Sequence, residues 1–412
     1  MPDARAPRRP FAGRRVLLGV TGGIAAYKAV QLARDLTLAG AAVDVVLTAG
    51  AGEFVRPLTF EALTGRAAHA SLYPAGDPNL HVRLAREAEL VLVAPATANF
   101  MARAAAGMAD DLLSAVLLAT AAPVVLCPAM NDRMYAHPAS AANRARLLEI
   151  GYALAGPGVG PLAWGEGEGP GRMLEPGEIL AHAGRALEGD GPLSGRRVVV
   201  TAGPTREAID PVRYVGNRSS GRMGYEVAAA AWRRGAEVLL VSGPSHLPPP
   251  VGVELARVES AEEMRAAVEA ALPSADVLVM AAAVADFRPA DPAGEKLKKE
   301  AGGVPELRLE RTADVLSATR ALRPAECVVV GFALETKDAV DNGRRKLEAK
   351  GLDLLVVNDA REPGAGFEVA TNRVTLLQPG RGDEALPLMP KSEVADRILD
   401  RVVELAEAKR AP

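Results

Sequence analysis

Cysteine is scarce in this chain, and long apolar runs and any strong excess of charge are missing; each shortage removes a class of function. Two cysteines stand in 412 residues, Cys127 and Cys327, both inside apolar strand-like runs (Val124-Val125-Leu126-Cys127 and Cys327-Val328-Val329-Val330). Two such thiols build no disulfide framework, so a reducing compartment is expected, with the cytoplasm as the default. No apolar run approaches membrane-spanning length. The net charge of −3 provides no global field that would draw nucleic acid or an anionic membrane. The basic, proline-rich stretch from Met1 to Arg15 has no apolar segment behind it and reads as a frayed tail rather than a signal. What is present is globular: 49% hydrophobic and 24% charged residues, in a chain too long for one ordinary core and long enough for two α/β domains.

The two halves open alike. Gly13-Arg14-Arg15-Val16-Leu17-Leu18-Gly19-Val20-Thr21-Gly22-Gly23 is echoed by Gly195-Arg196-Arg197-Val198-Val199-Val200-Thr201-Ala202-Gly203. Each opening is an apolar run, a glycine turn and then a helical stretch, Ile24 to Ala39 or Met223 to Arg234. Gly40 and Gly235 follow, where a left-handed cap costs least. Further apolar strands come at Val43 to Thr48 and Leu90 to Ala94, and at Val238 to Ser242 and Val277 to Met280. Wholly apolar strands alternating with amphipathic helices predict parallel sheets covered on both faces. The expected architecture is α/β, with two doubly wound (Rossmann/flavodoxin-like) domains over residues 1–190 and 191–412. The boundary is placed at Glu188-Gly189-Asp190-Gly191-Pro192, and the glycine- and proline-rich segment 156–177 reads equally well as a lid or a spacer.

Ligands of open α/β sheets bind beyond the carboxyl ends of the strands, where helix N-termini offer free N–H groups to phosphate. Thr21-Gly22-Gly23-Ile24-Ala25 occupies such a turn, although it is not a G-x-G-x-x-G dinucleotide fingerprint. A third strand runs into Ala94-Pro95-Ala96-Thr97-Ala98-Asn99, small and polar enough for a flat ring or a polyol chain to approach, and a fourth into Cys127-Pro128-Ala129-Met130-Asn131. Together these ends favour a cofactor site over simple packing. In the second half, Asn217-Arg218-Ser219-Ser220-Gly221-Arg222 precedes a helix with amides, hydroxyls and a cation for an anionic group. Ala281-Ala282-Ala283-Val284-Ala285-Asp286 ends a strand: the small residues admit a base or ribose, and Asp286 can accept from ribose hydroxyls. Glu295-Lys296-Leu297-Lys298-Lys299 is either a solvated charge run or the source of one cation for an α-phosphate, where charge develops at phosphorus.

Gly22-Gly23-Ile24-Ala25-Ala26-Tyr27-Lys28, Ala94 to Asn99, Ala106-Gly107-Met108-Ala109-Asp110-Asp111-Leu112, Pro128-Ala129-Met130-Asn131 and Gly171-Arg172-Met173 resemble the flavin-containing cysteine decarboxylases. With the second half, the chain from about Gly13 to Leu405 is similar to the bifunctional phosphopantothenoylcysteine decarboxylase/phosphopantothenate–cysteine ligase family of coenzyme A biosynthesis. The resemblance implies FMN held by Gly22, Gly23, Ile24, Ala25, Thr48, Ala96, Thr97, Asp110 and Met130. It makes His81 the base and Asn131 the residue that holds the substrate carboxylate. A carboxylate does not leave without an electron sink, and the flavin makes one temporarily. For the ligase it implies CTP with Mg2+, an acyl cytidylate, and attack by the amine of cysteine. The nucleotide contacts fall on Ala282, Ala283, Asp286, Ala313, Asp314, Val315, Leu316, Phe332, Lys346 and Lys350; Lys296 acts on the α-phosphate and Asn217 handles the acyl-nucleotide. Small-molecule substrates (4′-phosphopantothenate, cysteine, CTP and 4′-phosphopantothenoylcysteine) and a homo-oligomer complete the expectation, with no nucleic-acid or membrane partner.

The match breaks in one place. The family's decarboxylases carry a flap cysteine shortly before Gly-Arg-Met, which protonates the product as the flavin returns its hydride. Here Leu162-Ala163-Trp164-Gly165-Glu166-Gly167-Glu168 has none, and Trp164 stands in its place. A flavin-binding regulatory subunit is therefore one rival reading, favoured by that loss and opposed by the ligase motifs. NAD-dependent reduction is another, weakened because the second strand ends in Leu47-Thr48-Ala49-Gly50 without an acidic residue.

Overall fold

Strands rich in Val and Leu alternate with helices that bury one apolar stripe, and this pattern builds two separate α/β units in the computed structural model. The structure describes residues 9–298, 306–335, 338–359 and 369–410. Lys299 of the basic run, Thr336 after the Phe332 strand, and the first eight residues of the tail lie outside the described residues. One unit runs from Arg9 to Gly189 and the other begins at Asp190.

In the first unit, β1 (Arg15–Val20), α1 (Ala26–Leu38), β2 (Ala42–Leu47), α2 (Pro57–Thr64), β3 (Ala68–His69) and α3 (Leu80–Glu87) lead to β4 (Leu90–Ala96). Then come α4 (Ala98–Ala105), α5 (Leu112–Ala119), β5 (Val124–Pro128), α6 (Asp132–Ala136), α7 (Pro138–Glu149) and β6 (Ala153–Leu154). A hairpin of β7 (Gly158–Pro161) and β8 (Glu168–Arg172) and the helix α8 (Pro176–Glu188) close the unit. The sheet is parallel, in the order β3-β2-β1-β4-β5-β6. Side chains alternate between its two faces. Val16, Leu18, Val20, Leu92 and Ala94 pack on Leu32 and Leu36 of α1 and Ile179 of α8. Leu17, Val91 and Val93 pack on Phe100, Leu113 and Val116 of the other layer. Truncating one such leucine to alanine costs about 2–5 kcal/mol. Because β1 is followed outward by β2 on one side and β4 on the other, a crevice opens at the carboxyl ends of β1 and β4.

The α1 terminus is as the glycine predicts. Gly40 has φ 94°, and the Gly40 and Ala41 amides donate to Thr37 and Leu36 carbonyls at 3.0 Å each. The helix starts two residues later than expected, leaving Ile24 in the turn. The tail requires correction. Phe11 is only 4% exposed and belongs to the core under α1, while Arg14 and Arg15 pair with Glu89 and Asp44. Burial of one aromatic ring and two ion pairs hold residues 11–15 in place, and Arg15 begins β1.

The second unit repeats the scheme. Its elements are β9 (Arg197–Ala202), β10 (Arg206–Ala208), β11 (Tyr214–Gly216), α9 (Arg222–Arg233), β12 (Glu237–Ser242), β13 (Glu254–Arg257), α10 (Ala261–Ala271) and β14 (Val277–Met280). They continue through β15 (Phe287–Pro289), β16 (Leu309–Arg311), α11 (Val315–Ala318), β17 (Val328–Glu335), α12 (Ala339–Lys350) and β18 (Leu354–Asp359). Short strands β19 (Thr371–Asn372), β20 (Thr375–Leu377), β21 (Glu384–Ala385) and β22 (Met389–Pro390) precede α13 (Lys391–Arg410). The order is β13-β12-β9-β14-β17-β18-β20-β21, the first six parallel and the last two antiparallel. The order again reverses at the first strand, placing a crevice beyond β9 and β14. Gly235, at φ 96°, ends the first helix as Gly40 does. Buried Arg234 then donates to the carboxylate and carbonyl of Asp396 at 2.8 and 2.9 Å, tying α9 to α13.

Candidate functional site

In the first unit, the strand-end turns are stitched together by short side chains. Thr21 is buried just past β1; its Oγ1 donates to the Pro95 carbonyl at 2.8 Å and accepts from the Thr97 amide at 3.1 Å. Thr97 in turn caps α4 by accepting from Phe100 N. Gly22 lies against the turn after β2, where an added Cβ would come within 2.7–2.8 Å of Gly50 backbone atoms. Thr48 caps that second turn. The helix α1 begins with neither a side-chain cap nor an acidic first turn, so its N-terminal amides favour an anionic group. Ile24, beside them, is 64% exposed.

The β5 end meets the flap. Ala129 N donates to Ala96 O at 3.1 Å, and Met130 N to Gly171 O at 3.0 Å. A Cβ on Gly171 would fall 2.2 Å from Met130 O, and one on Gly169 would fall 2.9 Å from the Asp132 Cβ, so β8 must be glycine-rich to lie this close. The base of the flap is held by Lys28, 6% exposed, which donates to Met173 O at 3.0 Å and Glu175 at 2.8 Å. That hydrogen bond, with one from Arg172, holds the Glu175 carboxyl below its ordinary range. Segment 156–177 is thus a paired ribbon followed by a tether rather than a loose spacer, with Trp164, Glu166 and Glu168 exposed around its tip.

The expected flavin contacts Gly22, Gly23, Thr48, Ala96, Thr97 and Met130 therefore lie on adjoining turns, with Ile24 in the turn before α1 and Ala25 at its N-cap. Asp110 lies farther along the chain, after α4, where Arg103 binds it and holds its carboxyl below the usual range. Asn131 caps α6, its Oδ1 accepting from Arg133 N at 2.9 Å. His81 is on the first turn of α3 with Nδ1 buried and unpartnered; among the described residues no hydrogen bond joins it to the strand-end turns. Cys127 belongs to the core on the α1 side, and burial pushes its thiol up to about 12.

The second unit holds a cavity of about 730 Å3 beyond β9, β14 and β17. The turn after β14 pairs with the turn after β9 through Ala283 N to Gly203 O at 2.9 Å. Asn217 spans to it, with Nδ2 donating to the Ala283 and Val284 carbonyls at 3.2 and 3.0 Å. Ala282, Ala283, Asp286, Ala313, Asp314, Val315, Leu316, Phe332, Lys346 and Lys350 all line this cavity, as does Asn217. Lys350 pairs with Asp314 at 2.8 Å, and Asp314 also caps α11.

Lys296 is the exception. It is exposed and is not part of the lining. Its neighbour Leu297 is anchored by Asp210 and Arg213: Leu297 N donates to Asp210 Oδ2 at 3.2 Å, and Arg213 donates to Leu297 O at 2.8 Å. Sequence reasoning passed over Arg311, Asn358, Asn372 and Lys391, which also line the cavity. Asn358 Nδ2 donates to Asn372 Oδ1 at 3.1 Å, while its own Oδ1 is buried without a partner. Among the described residues no group of three His, Cys, Asp or Glu side chains gathers to hold a metal.

Two families match the chain. The one described as Flavoprotein covers residues 5–186, and the one described as DNA/pantothenate metabolism flavoprotein C-terminal domain covers residues 193–405. The chain is 46% identical over 398 residues to the coenzyme A biosynthesis bifunctional protein CoaBC of Vibrio vulnificus, covering 96% of this chain and 98% of that one. It is 43% identical over 403 residues to the protein of the same description from Escherichia coli, covering 97% and 99%. A solved C-terminal domain of a CoaBC protein is 38% identical over 53% of this chain and 98% of that one, with a TM-score of 0.45.

Proposed function

Because the chain belongs to the family of coenzyme A biosynthesis bifunctional CoaBC proteins, we propose a division of labour between its two crevices. The chain is a bifunctional enzyme of coenzyme A biosynthesis, with a flavoprotein decarboxylase domain and a ligase domain. Residues 1–190 carry the decarboxylase and residues 191–412 the ligase. The observation that carries the ligase reading is a cavity at the reversal of strand order, which gathers ten nucleotide-type residues from four separate chain segments together with Asn217.

In the ligase crevice, the carboxylate of 4′-phosphopantothenate attacks the α-phosphorus of CTP. A carboxylate–phosphorus bond forms, the bond to the departing pyrophosphate breaks, and the amine of cysteine then displaces CMP to form the amide. Asn217, fixed by two carbonyls, holds the acyl-nucleotide. Phe332 offers a face to the base, Lys346 and Lys350 supply positive charge, and Lys296 approaches the α-phosphate from outside the lining. Magnesium accompanies the nucleotide; Asp286 is the described cavity carboxylate that carries no ion pair, and such an ion needs only one or two carboxylates beside the phosphates.

The first crevice fits FMN. The turn at Gly22 leaves no room for a side chain, and α1 presents an uncapped N-terminus to a phosphate. Gly22, Gly23, Ile24 and Ala25 hold that phosphate, while Thr48, Ala96, Thr97, Asp110 and Met130 surround the rest. When bound, FMN supplies a hydride acceptor that returns what it takes, so the decarboxylation needs no external oxidant. Asn131 binds the carboxylate of the cysteine portion. His81 moves a proton at its imidazole, whose Nδ1 has no hydrogen-bond partner among the described residues. The flap excludes water over Met130. A second reading, a ligase carrying an incomplete decarboxylase, is favoured by one observation: the flap has no thiol, and Cys127 is a poor acid sealed in the core.

A homo-oligomer in the cytoplasm is the expected setting, and no helix among the described residues is long and apolar enough to cross a membrane. The test is the purified full chain. It should be yellow, and should release pyrophosphate from CTP and 4′-phosphopantothenate before cysteine is added. A colourless protein removes the first assignment, and absence of pyrophosphate removes the second.

A further inference from the structure

Asp210 lies in the turn between β10 and β11, and its side chain is wholly buried although Pro211, Val212 and Arg213 after it are exposed. Five N–H groups converge on its carboxylate. Oδ1 accepts from Val212 N and Arg213 N at 2.8 Å each, which is all that closing such a turn requires. Oδ2 accepts from the Arg213 guanidinium, at 2.9 Å from Nε, and from Leu297 N at 3.2 Å, 87 residues along the chain. The Arg213 bond above all holds the carboxyl far below the ordinary carboxylate range, so it stays ionised for both partners.

The distant partner belongs to the segment that carries Lys296. Leu297 is gripped through both of its backbone groups, its N–H by Asp210 and its carbonyl by Arg213 at 2.8 Å. Ala293 N donates to Ile209 O at 2.9 Å, so Lys296 sits between two anchors on one turn. The start of the same stretch is fixed to this hairpin as well. Asn217, the residue after β11, donates to the carbonyls of Ala283 and Val284, which line the cavity. Residues 209–217 therefore clamp the chain from 283 to 297 at both ends. A long, exposed side chain meets a reacting atom in a productive geometry only from a fixed backbone, and this hairpin supplies one.

We propose that Asp210 is a positioning residue for nucleotide activation: through Leu297 it fixes the segment from which Lys296 reaches the α-phosphate. This rests on the ligase reading above and on its use of Lys296.

The experiment is a double-mutant cycle in the full-length protein, with Asp210→Asn, Lys296→Gln and the two combined. The first turnover of pyrophosphate release from CTP and 4′-phosphopantothenate is followed before cysteine is added. Asparagine keeps an oxygen to close the turn and puts an N–H donor where Leu297 N and Arg213 need an acceptor. Misplacement on the order of 1 Å costs about a hundredfold in rate, so Asp210→Asn should slow release by about ten- to a hundredfold. Added to Lys296→Gln, it should slow release by less than about threefold more, because a lysine that is absent cannot be misplaced. A merely structural role predicts that the two factors multiply in the combined variant, and that result overturns the proposal. So does Asp210→Asn with a normal rate. If Asp210→Asn does not fold, Arg213→Gln, which releases Leu297 O, takes its place in the same cycle under the same rule. Lys296→Gln with a normal rate overturns this inference while leaving the rest of the ligase reading in place. An unaltered protein that releases no pyrophosphate defeats the ligase reading itself, and this inference with it.

Discussion

Gly22→Ala should empty the decarboxylase crevice of flavin, whereas Gly23→Ala should not. The difference rests on one methyl group. On Gly22 it would sit 2.7 Å from the Gly50 carbonyl carbon and 2.8 Å from both its Cα and its oxygen, all backbone atoms of the neighbouring turn. Separations below 3.0 Å are not tolerated, and neither turn can yield cheaply. Thr48 caps the second, and Thr21 stitches the first to β4. Overpacking of this kind costs about 1–3 kcal/mol. In a unit of this size that is about 3–10 °C of Tm. On Gly23 the nearest atom is Thr97 Cγ2 at 3.4 Å, a side-chain methyl that needs only a slight shift. The assay is the flavin-to-protein ratio of each purified variant by absorbance, with Tm measured in parallel. Gly22→Ala should carry less than about a tenth of the normal flavin, even when refolded with excess FMN, if the turn holds the phosphate through its backbone. A Gly22→Ala protein with full flavin and unchanged Tm would refute both the clash argument and the placement of the phosphate.

Three further outcomes follow from the same geometry. Glu175→Gln should cost stability at neutral pH but not in acid. The folded pKa of Glu175 is depressed, so its contribution is present above the unfolded value near 4.5 and is lost as pH falls through the folded value; a Tm difference that persists unchanged at low pH would contradict this. His81→Asn should retain flavin, because the phosphate turn is elsewhere, and lose carbon dioxide release; release at the normal rate would remove His81 from the chemistry. Lys296→Gln should slow pyrophosphate release by about two to three orders of magnitude, with Lys298→Gln nearly normal. Small, equal effects would return the run to a solvated surface.

Most of the fold was legible because its signals are local. Apolar strands, glycine turns and the helix-ending Gly40 and Gly235 each act within a few residues, and the repeated opening marked the second unit. The flap was not, for a physical reason. In β8 the inward positions are Gly169 and Gly171 and the outward ones Glu168, Pro170 and Arg172, so the alternation of a strand exists but its buried members have no side chains to reveal it. Residues 11–15 were misread because a basic, proline-rich composition hides one aromatic anchor, Phe11. Ala282, Ala283 and Asp286 lay in a recognisable strand-end segment, whereas Ala313 to Leu316, Phe332, Lys346 and Lys350 were named only through the family resemblance. Asn358, Asn372 and Lys391 were not legible, because three separate elements bring them to one wall and nothing in the local sequence distinguishes Lys391 from a surface lysine.

The central claim is that one chain joins cysteine to 4′-phosphopantothenate in one crevice and removes its carboxylate in the other. Mass analysis of the products formed by the full-length protein from 4′-phosphopantothenate, cysteine and CTP, with CTP omitted in a parallel reaction, tests it most directly. The account predicts 4′-phosphopantetheine only when CTP is present, and the same product without CTP when 4′-phosphopantothenoylcysteine is supplied instead. Accumulation of 4′-phosphopantothenoylcysteine with no loss of carbon dioxide from either starting point would contradict it, leaving a ligase beside an inactive flavoprotein domain.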